Sequence, residues 1–226
     1  MTTLADLAAG GILEREVPLA PLTTYRFGGP ARYFLEAHHE EEILAVADRA
    51  AFPAPPVVVG HSMGGLIAIQ AAADHGERFA GAVLVDAPLR RPDPESQAAT
   101  GMRALRDPWV YPTFQEAIGR FRLMPEQPVL HPYLFAHIAQ HSVRQVPGGW
   151  TWKFDPAVFR RPRLPMGERL PGAGCRLALI YGEHSAVVTP EVAAYTAERM
   201  EPQAPVVPIP GAYHHLLLDQ PLAFVA

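Results

Sequence analysis

The chain has 226 residues, of which 49% are hydrophobic and 19% are charged, so it can bury one core of ordinary size or slightly more. The net charge of −4 is spread along the chain and excludes the basic surface by which proteins bind nucleic acid. No apolar run approaches the roughly 20 residues that span a membrane. Cys175 is the only cysteine, which excludes an internal disulfide and a thiolate metal cluster.

The first ten residues do not resemble a targeting segment. They lack a positively charged start and a sustained apolar stretch, so they are not typical of a signal peptide. We therefore expect a cytoplasmic protein that acts on a small molecule, with no nucleic-acid or membrane partner.

The N-terminal part predicts a strand, a helix and a second strand. Residues 31–37 have strand character, and residues 40–51 have helical periodicity with acidic side chains in the first turn. A proline-rich stretch ends this helix, and residues 56–60 form a β-branched run typical of a buried parallel strand. If these elements form a right-handed βαβ unit, residues 31–37 lie in the same sheet as residues 56–59.

The pattern of alternating strands and helices continues on both sides of a long central segment. Residues from about 88 to 174 are rich in proline, arginine and aromatics, and are too many for a structureless loop, so we expect a helical cap there. The other predicted elements are a helix from Met63 to about Asp74, a buried strand over 80–86, a strand over 176–182, a helix from Thr189-Pro190, a strand over 205–210 and a last helix near Phe224.

The pentapeptide Gly60-His61-Ser62-Met63-Gly64 has the pattern G-x-S-x-G between a predicted strand and a predicted helix. In such a turn the serine hydroxyl is lifted above the sheet, at the positive end of the helix dipole. Side chains two residues before and after the serine are expected to collide with the backbone, which explains both glycines. Ser62 is the predicted nucleophile, and the N–H of Met63 is a predicted donor to the oxyanion.

With this motif in register, residues 53–226 resemble the α/β-hydrolase family. The resemblance covers about 170 residues and implies a partial parallel α/β sheet with a cap insertion at about 88–174, preceded by a βα segment in residues 1–52. It also implies a serine hydrolase that forms an acyl-enzyme from small carboxylic esters, thioesters or lactones, with no cofactor and no metal. The aromatic stretch from Gly149 to Pro156 either lines the acyl pocket or forms the core of the cap.

The catalytic base is expected near the C-terminus, because the family order is serine, acid, histidine. The turn Gly211-Ala212-Tyr213-His214-His215 follows the last predicted strand and contains two candidates. His214 is the predicted base because it resembles the usual position in such loops, and His215 is then expected to pack or to stay partly exposed.

The acid has two candidates. In many members it is an aspartate in a G-x-x-D turn, but here the turn is Gly182-Glu183-His184-Ser185, with serine in its place. Asp86 ends the strand after the nucleophile helix. The sequence there is similar to that of the haloalkane dehalogenase subgroup, and some members of this subgroup carry the acid at this position. Asp86 is the predicted acid and Glu183 the alternative.

The N-terminal segment has a resemblance of its own. Residues from about Ile12 to Ala51, with the core Thr23-Thr24-Tyr25-Arg26-Phe27-Gly28-Gly29-Pro30, resemble the start of UDP-N-acetylmuramate dehydrogenase, a flavoenzyme. The flavin-phosphate loop of that family is replaced here by the hydrolase strand, so FAD binding is not expected.

Three interpretations follow from the two resemblances. In the α/β-hydrolase family four strands precede the elbow, and that part of the chain usually carries the second oxyanion donor. Loss of one such donor lowers turnover by about 10²–10³. The first interpretation is a working serine hydrolase, and the second is a catalytically weak or inactive fusion of two coding segments. The third is a flavin-dependent oxidoreductase fragment.

Overall fold

A computed structural model describes residues 3–50, 52, 54–89, 91, 109–155 and 165–226. The strands are, in chain order, β1 (Val17–Pro18), β2 (Pro30–Ala31), β3 (Val57–His61), β4 (Gly81–Val85), β5 (Val143–Val146), β6 (Gly149–Trp152), β7 (Arg176–Gly182) and β8 (Val206–Ile209). The helices are α1 (Leu4–Ala9), α2 (Glu40–Arg49), α3 (Met63–His75), α4 (Phe114–Gly119), α5 (Pro132–His141), α6 (Met166–Arg169), α7 (Pro190–Arg199), α8 (Leu216–Asp219) and α9 (Pro221–Val225).

The central sheet is parallel and has the strand order β3-β4-β7-β8. Its middle strands are apolar because both of their faces are covered, and Leu84 and Leu179 are fully buried in them. Ile69 of α3 and Val188, just before α7, belong to the same hydrophobic core. The predicted parallel α/β sheet is therefore confirmed.

Local sequence signals place several element ends where they were predicted. Helix α3 begins at Met63, directly after the elbow, and ends at His75. Helix α7 begins at Pro190, and its N-cap Thr189 accepts a hydrogen bond from the Val192 N–H at 3.4 Å. The ends of β4, β7 and β8 also agree with the predicted strands to within about one residue.

The predicted βαβ unit is wrong. Helix α2 forms, but residues 31–37 do not join the central sheet. Ala31 pairs antiparallel with Val17, and Phe34 forms an isolated bridge with Glu14. The physical reason is that this segment contains charged and half-exposed side chains, such as Arg32 and Tyr33, which a parallel strand covered on both faces does not accommodate.

Strand β3 is consequently the edge of the sheet within the described ranges. Val57 is 55% exposed and Val59 is 60% exposed, so the prediction of a fully buried strand is wrong for these two side chains. Helix α2 lies near the C-terminal end of α3 instead, where Glu40 contacts His75 at 2.7 Å and Asp48 forms an ion pair with Arg78.

The central segment contains more than helices. Helices α4 and α5 are followed by an antiparallel hairpin of β5 and β6, so a purely helical segment is corrected to a mixed one. Phe114 packs edge-on against Trp150 with ring centroids 5.0 Å apart, and the Trp152 indole N–H donates to the carbonyl of Ala117 at 3.1 Å. These aromatic side chains therefore pack against their neighbours in the described part of the segment.

The longest helix in the described ranges is α3, with 13 residues. None of the helices described there is long and apolar enough to cross a membrane.

Candidate active site

Ser62 lies at the carboxyl end of β3, between the strand and α3. Its backbone has φ 56° and ψ −118°, which is a strained conformation for a residue with a side chain. Its N–H donates to the carbonyl of Val85 at 2.8 Å and so extends the parallel ladder one residue beyond the strand. Ser62 thus has the backbone conformation that the elbow motif predicts.

The two glycines of the motif have different roles. A Cβ at Gly60 would lie well inside van der Waals contact with the Gly64 carbonyl, so glycine is required at position 60. A Cβ at Gly64 would meet no atom within 4 Å. The predicted collision at Gly64 is therefore wrong, and the second tight position is Gly65, whose Cβ would overlap the side chain of Ala87.

Asp86 lies at the carboxyl end of the neighbouring strand β4. Its backbone also has a positive φ, of 46°, and its N–H donates to the carbonyl of Ile180 at 2.8 Å. Carboxyl ends of adjacent parallel strands meet at one edge of a sheet, so this register places Ser62 and Asp86 on the same edge.

His214 and Asp86 form a buried pair. His214 Nδ1 lies 2.6 Å from Asp86 Oδ2, and the two side chains are 2% and 0% exposed. A carboxylate can only accept, so Nδ1 carries the proton and Nε2 keeps a free lone pair. An imidazole in this tautomer can act as a general base through Nε2.

Asp86 is also fixed from the turn after β7. The N–H of Gly182 donates to Oδ1 at 2.9 Å, and the hydroxyl of Ser185 donates to Oδ2 at 2.6 Å. A Cβ at Gly182 would overlap the carbonyl of Tyr213, so glycine at this position lets the histidine loop approach the end of β7. Ser185, at the position where many family members are expected to have the acid, therefore contacts Asp86.

Glu183 does not contact His214. Its side chain is 53% exposed, and its Oε2 accepts a hydrogen bond from the Gly211 N–H at 2.9 Å. Of the two acid candidates, the structure brings Asp86 and not Glu183 to the imidazole.

Two further histidines surround His214. The Nε2–H of His61 donates to the backbone carbonyl of His214 at 2.8 Å, and the two rings lie 4.8 Å apart. Burial is the main cause that lowers the pKa of His61. Burial also lowers the pKa of His215 to about 4, with smaller electrostatic contributions from His214 and His61. The pKa values of both neighbours therefore lie below the ordinary value of 6.5.

Met63 occupies the first position of α3. The N–H groups in the first turn of a helix have no partner inside the helix and point along the positive end of its dipole. The Met63 N–H, next to Ser62, is thus placed to donate to an anion at the elbow. Among the described residues, no group of three or more side chains is arranged to hold a metal ion.

A second group of side chains, which was not predicted from the sequence, contacts the histidine loop. Gln127 and Asp219 bind the backbone on either side of His214. No motif marks Gln127, because it lies 88 residues from His215 in the chain.

Comparison with known proteins supports the same fold. The sequence model of the alpha/beta hydrolase family matches residues 2–226. A thioesterase domain from the curacin biosynthetic pathway is 26% identical, with a TM-score of 0.60 over 82% of this chain and 69% of that one. An E-2-(acetamidomethylene)succinate hydrolase is 21% identical, with a TM-score of 0.62 over 80% of this chain and 67% of that one.

A third solved structure, an esterase from Mycobacterium tuberculosis, is 24% identical, with a TM-score of 0.55 over 88% of this chain and 74% of that one. No curated protein matches the chain.

The family match includes the N-terminal segment. It begins at residue 2, and these comparisons do not support the predicted resemblance of residues 12–51 to UDP-N-acetylmuramate dehydrogenase. The interpretations built on that resemblance, an inactive fusion or a flavoenzyme fragment, are likewise unsupported. Because the family model matches the chain from residue 2 to residue 226, the protein belongs to the alpha/beta hydrolase family and is a hydrolase, as the elbow motif predicted.

Proposed function

We propose that the protein hydrolyses small carboxylic esters, thioesters or lactones through an acyl-enzyme on Ser62. His214 is the general base and Asp86 is the acid that orients it. The observation that carries this proposal is the buried 2.6 Å contact between His214 and Asp86, at the sheet edge where Ser62 has a positive φ.

The first half of the reaction forms the acyl-enzyme. The Ser62 oxygen attacks the substrate carbonyl while His214 Nε2 takes the hydroxyl proton. The resulting imidazolium is stabilised by the Asp86 carboxylate. The tetrahedral intermediate then collapses, the bond to the leaving group breaks, and His214 returns the proton to the leaving oxygen or sulfur.

Water completes the cycle. His214 removes a proton from water, the hydroxide attacks the acyl carbonyl, and the Ser62 oxygen leaves with the proton that His214 held. In both halves negative charge develops on the carbonyl oxygen, and the Met63 N–H at the start of α3 is the proposed donor to it.

One of the compared structures supports the substrate class. This structure, at 26% identity, is a thioesterase domain, which favours acyl transfer from sulfur or oxygen to water.

Residues 88–174 are proposed to act as the cap within a hydrolase unit of residues 53–226, with residues 1–52 as a separate N-terminal segment. The boundary residue Pro53 lies outside the described residues.

The experiment is steady-state hydrolysis of p-nitrophenyl acetate and butyrate and of a short acyl thioester. Ser62→Ala and His214→Ala are expected to reduce kcat to background. Asp86→Asn is expected to reduce kcat by about 10³–10⁴, because the amide favours the wrong imidazole tautomer. Glu183→Gln is the matched control and is expected to change kcat by less than about threefold, since this side chain makes no contact with His214.

Two results would contradict the proposal. Hydrolysis that is unchanged in Ser62→Ala would show that another group performs the attack. A larger loss in Glu183→Gln than in Asp86→Asn would move the acid to the turn after β7.

A further inference from the structure

Gln127 connects the central segment to the backbone on both sides of His214. Its Oε1 accepts a hydrogen bond from the His215 N–H at 3.0 Å. Its Nε2 donates to both carboxylate oxygens of Asp219, at 3.0 Å each. Asp219 Oδ2 in turn accepts from the Tyr213 N–H at 2.9 Å.

The chemistry of these contacts fixes the orientation of the amide. A backbone N–H can only donate and a carboxylate can only accept, so the oxygen of Gln127 faces His215 and its nitrogen faces Asp219. A flipped amide or a glutamate at position 127 cannot satisfy both partners. The Gln127 amide therefore satisfies both the His215 N–H and the Asp219 carboxylate in one orientation only.

Asp219 depends on this arrangement. It is 4% exposed, and within the described ranges no arginine, lysine or histidine side chain forms an ion pair with it. A buried carboxylate is stable only when donors replace the lost water. Here the side-chain and backbone donors that reach its oxygens are the Gln127 amide and the Tyr213 N–H.

We propose that Gln127 and Asp219 are a positioning pair for the base, an inference that rests on the proposed serine hydrolase function. Neither side chain touches the reacting atoms. They hold the backbone of residues 213 and 215 and thereby set the position of the imidazole between them. The central segment thus takes part in orienting His214, in addition to any contact it makes with substrate.

The test exchanges the carboxylate and the amide between the two positions. Gln127→Glu places two carboxylates face to face, and Asp219→Asn replaces one of the two oxygens that accept from the Gln127 nitrogen with a second amide nitrogen. The double variant Gln127→Glu/Asp219→Asn transposes the polarity of the pair. The carboxylate at position 127 then accepts from the His215 N–H and from the amide at position 219, whose oxygen accepts from the Tyr213 N–H. Glu126→Gln, at the exposed neighbouring position, is the matched control.

The first readout is catalysis of p-nitrophenyl butyrate hydrolysis. Each single variant is expected to lower kcat by about 100-fold with KM changed less than about threefold, because a base displaced by about 1 Å costs that much. The double variant is expected to recover at least about tenfold of the loss, and Glu126→Gln to behave as wild type. A folded single variant with wild-type kcat, or a double variant no better than the singles, would overturn the proposal.

The second readout does not require activity. Amide hydrogen exchange of a peptide spanning residues 211–216 is expected to be faster in both single variants and protected again in the double variant. Unchanged exchange in the single variants would overturn the positioning role even if kcat falls. Failure of the proposed serine hydrolase function gives a different result from failure of the positioning role. If the serine hydrolase function fails, Ser62→Ala hydrolyses the ester as fast as wild type does.

Should Gln127→Glu fail to fold, Gln127→Ala takes its place, with the same expected loss of kcat and of protection.

Discussion

His215 is expected to make the folded protein sensitive to acid. Its ring lies beside those of His214 and His61, with ring centroids 5.0 Å and 5.8 Å away. Burial lowers the pKa of His215 to about 4, with smaller electrostatic contributions from these two neighbours, while the Met124 backbone and Asp86 oppose the shift. The pKa in the unfolded chain is the ordinary value of 6.5.

The sign and size follow from proton linkage. Between pH 6.5 and 4 the unfolded chain binds a proton at this site that the folded protein does not, so the free energy of unfolding falls as the pH falls. The loss attributable to His215 is about 2 kcal/mol at pH 5 and approaches about 3 kcal/mol near pH 4. It is absent above about pH 7.5.

The assay is urea unfolding at pH 7.5 and pH 5.0, followed by circular dichroism, for wild type and His215→Gln. The difference in the free energy of unfolding between the two pH values is expected to be about 2 kcal/mol smaller in the variant. His38→Gln, an exposed histidine before α2, is the control and is expected to match wild type. An equal pH dependence in wild type and His215→Gln would refute the reasoning, as it would show that His215 is solvated or paired.

Three further predictions concern stability and association. Gly60→Ala should lower the free energy of unfolding by more than about 3 kcal/mol or abolish folding. Gly64→Ala should leave it unchanged or raise it by up to about 1 kcal/mol, as measured by urea unfolding. Equal effects of the two substitutions would contradict the elbow geometry. Thr189→Ala should lower the free energy of unfolding by about 1 kcal/mol in the same assay, because the N-cap hydrogen bond of α7 is lost. An unchanged free energy would show that this hydrogen bond is not formed. Val59→Lys should reduce self-association in sedimentation velocity, because the β3 edge exposes apolar side chains; unchanged association would mean that another surface is responsible.

Much of the sheet edge that carries Ser62 and Asp86 could be predicted, because the sequence signals for its strand, turn and helix are local. A β-branched run, a G-x-S-x-G turn and an apolar helix occur in one stretch of about 20 residues, so strand, elbow and α3 follow from short-range chemistry. The same holds for Thr189-Pro190, where a cap residue and a proline mark the helix start. The position of Asp86 could be predicted because it ends a buried strand at the same edge of the sheet.

The errors arise where long-range pairing decides the structure. The strand character of residues 31–37 does not specify a partner, and these residues pair with residues 14–18 instead of entering the sheet. The hairpin of β5 and β6 could have been predicted from Pro147-Gly148, a dipeptide typical of turns that lies between the two strands. Gln127 and Asp219 could not, because their contact joins residues 92 positions apart and has no motif.

The central claim is that Ser62, His214 and Asp86 act as one unit, and covalent labelling tests it most directly. Wild type, Ser62→Ala, His214→Ala and Asp86→Asn are each incubated with a fluorophosphonate and analysed by intact mass. The account predicts a single adduct on wild type, none on Ser62→Ala, and labelling slowed by at least about 100-fold in the other two variants. An adduct on Ser62→Ala, or no adduct on folded wild type, would contradict it.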